Sequence, residues 1–579
     1  MNLLLIVLYL LIFNEKLTEC FKVKKTASST KHNKRNMQRG DEFIVGDKFR
    51  IQVVMSEGIK NHIFFRKFKK VFKKAVDFWT KAINLKIQSK HQILIERDCK
   101  SRVRSRTLPQ FYYCSNGCHT TTECSGFQIP EKYLKDCRSS ENDMSKINVT
   151  KPADADFVLF VGLNLPICSN RFLAWADICQ QDSDTDRPVS ATISICSAMD
   201  DYLENNENTV NQIIIHELAH CFGFRYSMLP YLRYENGDPR TRRNNLTRQP
   251  ELGKHVNEGL EADQNTIKYV WREWQTVVGK WRIKRVGLTL PGVVSYAREH
   301  FGCNNLDAVE LESDGGRGSD LSHFERRLSI GEIMSAVHDP MAAVSNLTLI
   351  YFNSTGWYYV NFLMAELWNW GRNQGCEFLY KSCGEFIKRQ KMSGQQTSTW
   401  CDKVLSETSD VRCIPHTNAY GYCNLIKHSH YLNPEYRHFN NLANISTMEQ
   451  QMMGGMDKFA DFCPFMSVFT SINESPMNSH CEDTDNQKFQ NMTYGQQHYG
   501  KKSRCFNIDT VFKDTSNHIS EAGCFRINCT LRHELQVQFN GKWHLCPKEG
   551  GTLLLPVDQY REDRLECPPF GDVCSVRKK

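Results

Sequence analysis

The sequence predicts an α+β protein, a twisted mixed sheet with helices packed on it and a disulfide-rich C-terminal region. Three observations point there. Between residues 45 and 225, short β-branched runs alternate with stretches of helical periodicity. The 24 cysteines spread from Cys20 to Cys574, and more than half lie after residue 370. The 579 residues are too many for one ordinary domain.

Residues 1–20 contain an apolar run, Leu3 to Phe13, of the length of a signal-peptide core, with cleavage expected near Cys20. Residues 21–44 are polar and basic, a short propeptide or flexible extension. No later run reaches about 18 apolar residues, so no transmembrane helix is expected. The cysteine content fits an oxidising compartment. Eight N-x-S/T sites (Asn148, Asn245, Asn346, Asn353, Asn444, Asn473, Asn491 and Asn528) agree with a secreted glycoprotein. Without Cys20 the cysteine count is odd, and Cys221 is the candidate for the unpaired thiol.

Phe49 to Val54 alternates as a half-buried strand does. Phe65, Phe68, Phe72, Val76, Trp79 and Ile83 then recur at helical spacing, with RKFKKVFKK forming a basic outer face. Such a face is usually solvated, and it is also able to meet a heparin-like glycan or lipid headgroups. The net charge of +8 is mild for this length, and no nucleic-acid partner is expected. Ile87 to Ile95 reads as a strand, and Cys99, Cys114, Cys118, Cys124 and Cys137 as a disulfide-held loop. Asp156 to Val161 reads as a buried strand, and Ser190 to Cys196 as an edge strand where an extended peptide can pair.

The next stretch, Asn208 to Phe224, holds His216-Glu217-Leu218-Ala219-His220, the H-E-x-x-H pattern of a zinc site on a helix. Histidines four apart share a helical face, so both imidazoles reach one ion. Glu217 then stands beside the metal, placed to take a proton from a water that the metal acidifies. Asn208 or Thr209 is expected to cap this helix, and Gly223 to end it. The bland alternative is a buried helix with hydrogen-bonded histidines. Residues 225–255 read as a polar surface insertion, Asp263 to Trp281 as a helix, and Val293 to His300 as a shorter one.

A catalytic zinc takes three protein ligands. The compact pattern H-E-x-x-H-x-x-G-x-x-H fails, because its last position is Tyr226. A thermolysin-like arrangement would use Glu258. The third candidate is His323, which follows the glycine-rich loop at 313–319 and is itself followed by Met334 in Gly331-Glu332-Ile333-Met334-Ser335-Ala336. A methionine turn after such a histidine is a metzincin feature. His300 and His338 are nearby rivals. His300 reads as structural, and His338 falls past the turn.

Three stretches together resemble the leishmanolysin family of metzincin peptidases, which includes the invadolysins: HELAHCFGF at 216–224, AREHFGCNNLDAVELESDGGRGSDLSHFERRLSIGEIMSA at 297–336, and VSNLTLIYFNSTGWYYVNFLMAELWNWGRNQGCEFLYKSC at 344–383. The resemblance runs from about residue 45 to 383. It implies a metzincin-type catalytic domain whose zinc, one per chain, is held by His216, His220 and His323, with Glu217 as the catalytic base and Met334 in the Met-turn. It also implies a catalytic subdomain at 45–225, a central subdomain at 226–375 and a Cys-rich C-terminal domain at 376–579. The expected function is a secreted, monomeric zinc endopeptidase acting on protein or peptide substrates, extracellular-matrix or cell-surface proteins among them. The alternative is a secreted binding or adhesion protein on an inactive scaffold. Two departures stand out. No cysteine lies between Cys20 and Cys99 to serve as a propeptide latch, and Cys221 stands where the family usually has a small apolar residue.

Overall fold

The computed structural model describes residues 42–89, 92–104, 112–138, 154–168, 172–245, 249–251, 262–316, 318–394, 399–405, 411–414, 417–468, 478–487, 497–512, 518–556 and 561–574. The expected signal peptide with Cys20, most of the extension, Glu258, and Asn148, Asn473 and Asn491 lie outside the described residues.

The first sheet is built from β1 (Glu42–Val45), β2 (Ile51–Met55), β3 (Phe157–Leu163), β4 (Ala174–Gln181) and β5 (Pro188–Ile195), in the order β1-β2-β3-β5-β4. The central pairs are parallel, and the two outer pairs are antiparallel. Strand β5 is therefore interior, not the edge expected at 190–196, and β4 is the edge. The alternation in SATISIC misleads because both faces of β5 are covered, and all eight of its residues are buried. Ala191, Ile193 and Ile195 enter the main core. Ser194 and Thr192 contact Cys168 and Cys179 on the other face. Disulfides Cys124–Cys179 and Cys168–Cys196 hold that covering layer in place.

Helix α1 (Phe65–Ala82) lies on the sheet with Phe68, Val71, Phe72, Ala75, Val76 and Trp79 buried. This is the apolar stripe expected from its spacing. Its Arg66, Lys73 and Lys74 are exposed, and Lys67 and Lys70 approach Glu207 at 3.7 and 3.5 Å. Where a strand was expected at 87–95, two short strands flank the segment, Ile83–Leu85 and Ile95–Glu96. The cysteine-rich loop is stapled as expected, by Cys99–Cys114 and Cys118–Cys137.

Helix α2 (Glu207–Cys221) packs on α1 and on the sheet. Its cap is Asn206, whose side chain accepts the Thr209 N–H at 3.0 Å, two residues ahead of the expected cap. Gly223 ends it at φ +114°, where an added Cβ would meet Trp357 at 2.8 Å. The following segment is less exposed than a surface insertion: a 3-10 turn at Tyr226–Tyr231 buries Met228, Leu229 and Pro230.

Residues 263–281 are not a helix. They form most of a hairpin of β6 (Ile267–Thr276) and β7 (Gly279–Leu288). From Val270 on, the buried residues of β6 are Val270, Arg272, Trp274 and Thr276, a period of two with an arginine inside it. Counting Arg272 as polar hid that alternation. Helix α3 (Pro291–Phe301) forms as expected, with Gly302 in the left-handed region after it. Strand β8 (Val309–Glu310) joins β7, and α4 (Asn346–Ser354) packs on α3.

The C-terminal region carries a six-stranded antiparallel sheet with its own apolar cluster, including Phe506, Phe525, Val537 and Leu565. Among the described residues, Cys221 is the free cysteine, and it is buried. No described helix is long and apolar enough to cross a membrane.

Candidate metal centre

His216 and His220 project from one face of α2, as their spacing requires. The helix is fixed from three sides. The Trp79 indole donates to the Ile215 carbonyl at 2.9 Å. The Tyr358 hydroxyl donates to the Phe222 carbonyl at 3.0 Å, and the Tyr351 hydroxyl to that of Gly223 at 2.9 Å.

His323 arrives on a separate segment, held strand-like by its backbone. Glu312 N–H donates to the His323 carbonyl at 3.0 Å, and Phe324 N–H to that of Met334 at 3.0 Å. Phe324 packs edge-on against Phe224 at 4.9 Å. The three rings converge: their Nε2 atoms are 3.0 Å apart for His216–His220, 3.2 Å for His220–His323 and 3.2 Å for His323–His216. These three form a group able to hold a metal ion.

Each Nδ1 faces a backbone carbonyl: His216 the Ile333 carbonyl at 2.6 Å, His220 that of Phe224 at 2.6 Å, and His323 that of Ser319 at 3.0 Å. A carbonyl only accepts, so each Nδ1 must donate. Each neutral ring then turns a bare Nε2 lone pair to the common centre. Burial holds all three imidazoles neutral, pushing His323 down to about 3 and His220 well below its ordinary value. Three unshared lone pairs this close repel one another unless a cation lies among them. Four tetrahedral bonds of about 2.0–2.1 Å would separate ligand nitrogens by about 3.3 Å, close to what is observed. The donor set fits zinc.

Met334 is fully buried, and it is tied to two of the histidines. Its carbonyl holds the residue after His323, and the preceding carbonyl, at Ile333, holds His216. Glu332 braces this turn, accepting from Ser345 Oγ at 2.7 Å and Thr348 Oγ1 at 2.6 Å.

Glu217 is buried beside the triad, and burial pushes its carboxyl up to about 8; Arg225 and a hydrogen bond from the Ala176 backbone oppose the shift. A cation on the histidines would pull it back down. His300 plays the structural part expected of it. It stacks on Trp368 at 4.3 Å and bonds the Trp370 carbonyl at 2.8 Å. His338 stays outside the triad, next to Asp339, which pairs with Arg326.

Sequence reasoning missed Ala176, Arg225 and the carbonyls that orient the imidazoles. Backbone acceptors leave no sequence signal. Arg225 sits in a stretch that otherwise reads as a polar surface.

Fold and site together define a protein built to hold a metal ion beside a buried carboxylate. Residues 122–579 match Peptidase M8, Leishmanolysin. The chain is 30% identical over 530 residues to the leishmanolysin-like peptidase of Drosophila pseudoobscura pseudoobscura, covering 87% of this chain and 76% of that one. It is 30% identical over 535 residues to the leishmanolysin-like peptidase of Caenorhabditis elegans, covering 86% and 79%. It is 25% identical over 466 residues to leishmanolysin of Leishmania major, covering 78% and 62%. The chain belongs to the leishmanolysin family and is a metallopeptidase.

Proposed function

We propose that this chain is a secreted zinc endopeptidase of metzincin architecture, with His216, His220 and His323 as the metal ligands, Glu217 as general base and Met334 as the Met-turn methionine. The observation that carries it is the convergence of three carbonyl-anchored imidazoles at 3.0–3.2 Å beside a buried carboxylate. The reading divides the chain into a leader at 1–20, an extension at 21–44, catalytic and central subdomains at 45–225 and 226–375, and a disulfide-braced C-terminal domain at 376–579.

Zinc bound there would supply Lewis acidity, polarising the scissile carbonyl and acidifying water. The chain's own residues do the rest. An extended peptide pairs along the edge strand β4, beside Glu217. The Glu217 carboxylate takes a proton from the attacking water and hands it to the leaving nitrogen. Its bond to the Ala176 backbone aims it, and the surrounding burial strengthens it as a base. The Nδ1 bonds keep all three imidazoles in one tautomer, so no reorganisation precedes binding.

The test is zinc content and casein cleavage of the purified protein beside Glu217→Gln and His323→Ala. We expect about one zinc per chain in the parent and in Glu217→Gln. Cleavage should fall at least ~100-fold in Glu217→Gln. His323→Ala should lose the metal. Zinc in both proteins with cleavage in neither would favour a binding protein on an inactive scaffold. Full zinc retention in His323→Ala would refute the ligand set.

A further inference from the structure

The hydrogen-bond register of the edge strand exposes a feature that no catalytic role explains. Cys196 N–H donates to the Leu173 carbonyl at 3.0 Å, so these two residues form a bonded antiparallel pair. Bonded and non-bonded pairs alternate along such a ladder. Ala174–Ile195 is then non-bonded, Trp175–Ser194 bonded, and Ala176–Ile193 non-bonded. The N–H and C=O of Ala176 therefore point away from β5, off the free edge of the sheet. A docking peptide would meet this pair.

Both groups are already engaged. The N–H faces the Glu217 carboxyl and holds its pKa down. The carbonyl accepts from Arg225 Nη1 at 2.7 Å. The same Nη1 lies 2.9 Å from Asp177 Oδ1. Asp177 is itself fixed, because Oδ1 accepts the Ile178 N–H at 3.0 Å and Oδ2 the Ser125 hydroxyl at 2.5 Å. The guanidinium also faces the Trp175 ring at 6.0 Å, and Gly318 packs against that ring where any Cβ would collide. Arg225 is thus pinned in one orientation by a single nitrogen. Its Nε and Nη2 have no protein partner among the described residues, and the side chain is 20% exposed. Because Arg225 bonds the carbonyl of the residue whose N–H faces Glu217, these spare donors open beside the base.

We propose that Arg225 is a specificity-determining residue: anchored to Ala176 and Asp177, it presents its remaining donors to an acidic side chain of a peptide lying on β4 next to the scissile bond. This rests on the reading of the site as a peptidase with β4 as the substrate edge. A guanidinium matches a carboxylate in a planar two-bond fork, which an amide cannot reproduce. The Asp177 carboxylate does not exhaust that capacity, since it engages only Nη1 and spends its oxygens on two further donors. A fixed guanidinium loses little rotamer freedom on binding a carboxylate, so preorganisation favours the acidic peptide.

The experiment uses the full chain with zinc. A mixture of diverse peptides is digested and the cleavage sites mapped by mass spectrometry. Glu and Asp should be enriched within two positions of the cut. A Glu-containing peptide should exceed its Gln counterpart in kcat/KM by roughly five- to tenfold, and the ratio should shrink with salt. Arg225→Met should bring the ratio to about one, Arg225→Lys should keep its direction with a smaller size, and Arg225→Glu should invert it towards Lys and Arg. Dissociation constants of the same fluorescent Glu and Gln peptides on Glu217→Gln should show the same ratio without any turnover. That binding readout decides the proposal even if the chain cleaves nothing, in which case only the peptidase reading fails. Equal affinities for the two peptides, or a ratio unchanged in Arg225→Met, overturn it. If Arg225→Met instead tightens all peptides equally, Arg225 merely blocks the edge and selects nothing, which also overturns it.

Discussion

Two regions hold the three converging histidines, and they do it with opposite chemistry. The sheet, α1 and α2 hold His216 and His220 in an aromatic core. There Trp79 meets Phe222 at 5.8 Å and Phe352 at 5.1 Å, and Phe157 meets Phe222 at 5.2 Å. The segment carrying His323 rests instead on buried charge. Arg285 Nη2 bridges both Asp461 oxygens at 2.6 and 2.7 Å. Arg272 pairs with Glu310 at 2.5 Å, and Arg326 with Asp457 at 3.0 Å and Asp339 at 2.8 Å. Arg327 donates to the carbonyls of Phe378 and Leu379. Apolar packing tolerates imperfect partners, since dispersion and burial are non-directional. Buried charge does not, because each ion left alone keeps its full desolvation cost. His323, the proposed third ligand, should therefore be the easier one to lose.

The largest expected effect follows from that difference. Arg285→Ala leaves Asp461, Glu310 and Glu325 facing one another without their shared cation, all three at 1% side-chain exposure. We expect a loss of about 3–5 kcal/mol and weakened zinc retention. Arg285→Met with Asp461→Leu removes the closest ion pair, though it also takes Asp461 from Arg327 at 3.3 Å, and should recover part of that loss. In the aromatic core, Ile214→Val should cost only about 1 kcal/mol and leave zinc content untouched. Urea unfolding with zinc analysis on all three compares the regions directly. If the double variant is no better than Arg285→Ala, the cost lies in packing and the contrast fails.

A middle-sized effect is pH-dependent. Glu312 and Glu325 lie together in the charged region. Burial is the largest cause that pushes both carboxyls up, Glu312 to about 8, and the Glu312 charge raises Glu325 further. A carboxyl raised in the folded state gives stability that is present below its unfolded value and lost as pH rises through the folded one. The buried neutral imidazoles of His300, His438 and His480, pushed down to about 4, act in the other direction, losing stability as pH falls below their ordinary value. Above about pH 6.5 only the carboxyl effect remains. Stability should then decline between about pH 6.5 and pH 8, by up to about 2 kcal/mol. Glu325→Gln, which removes one of the two acids, should flatten the decline. Parallel thermal-melt profiles for parent and variant would refute the shared titration.

How much of this was legible in the sequence follows the same division. The helix with His216, Glu217 and His220 announces itself, since an apolar run with two histidines at helical spacing needs no tertiary information. His323 and Met334 were legible through local turn glycines and the methionine eleven residues on. The charged region was not. A buried arginine looks like a surface residue in any hydropathy pattern, so Arg272 turned a hairpin into an apparent helix. The edge strand was misplaced for a related reason. Ser190, Thr192 and Ser194 look solvated, but a layer joined by disulfides covers them, and pairings between distant cysteines cannot be read from spacing.

The smallest effect tests whether the apolar region tolerates a defect at the end of the ligand helix. Asn206 is 7% exposed and caps α2 through Thr209 N–H, three turns from His216. Asn206→Ala removes one acceptor from a helix start and should cost about 1 kcal/mol. The neighbouring groups limit the damage: Asp485 accepts the Asn208 N–H at 3.2 Å, and Asp483 accepts the Asn208 side-chain amide at 2.7 Å. Because Trp79, Tyr351 and Tyr358 hold the far end of α2, the lost cap should fray only the first turn. Zinc content and kcat should stay within about twofold of the parent while the melting temperature falls by a few degrees. Loss of zinc from this variant would mean that the helix is held end to end as one rigid unit, and that the aromatic core gives the site none of the tolerance argued for it.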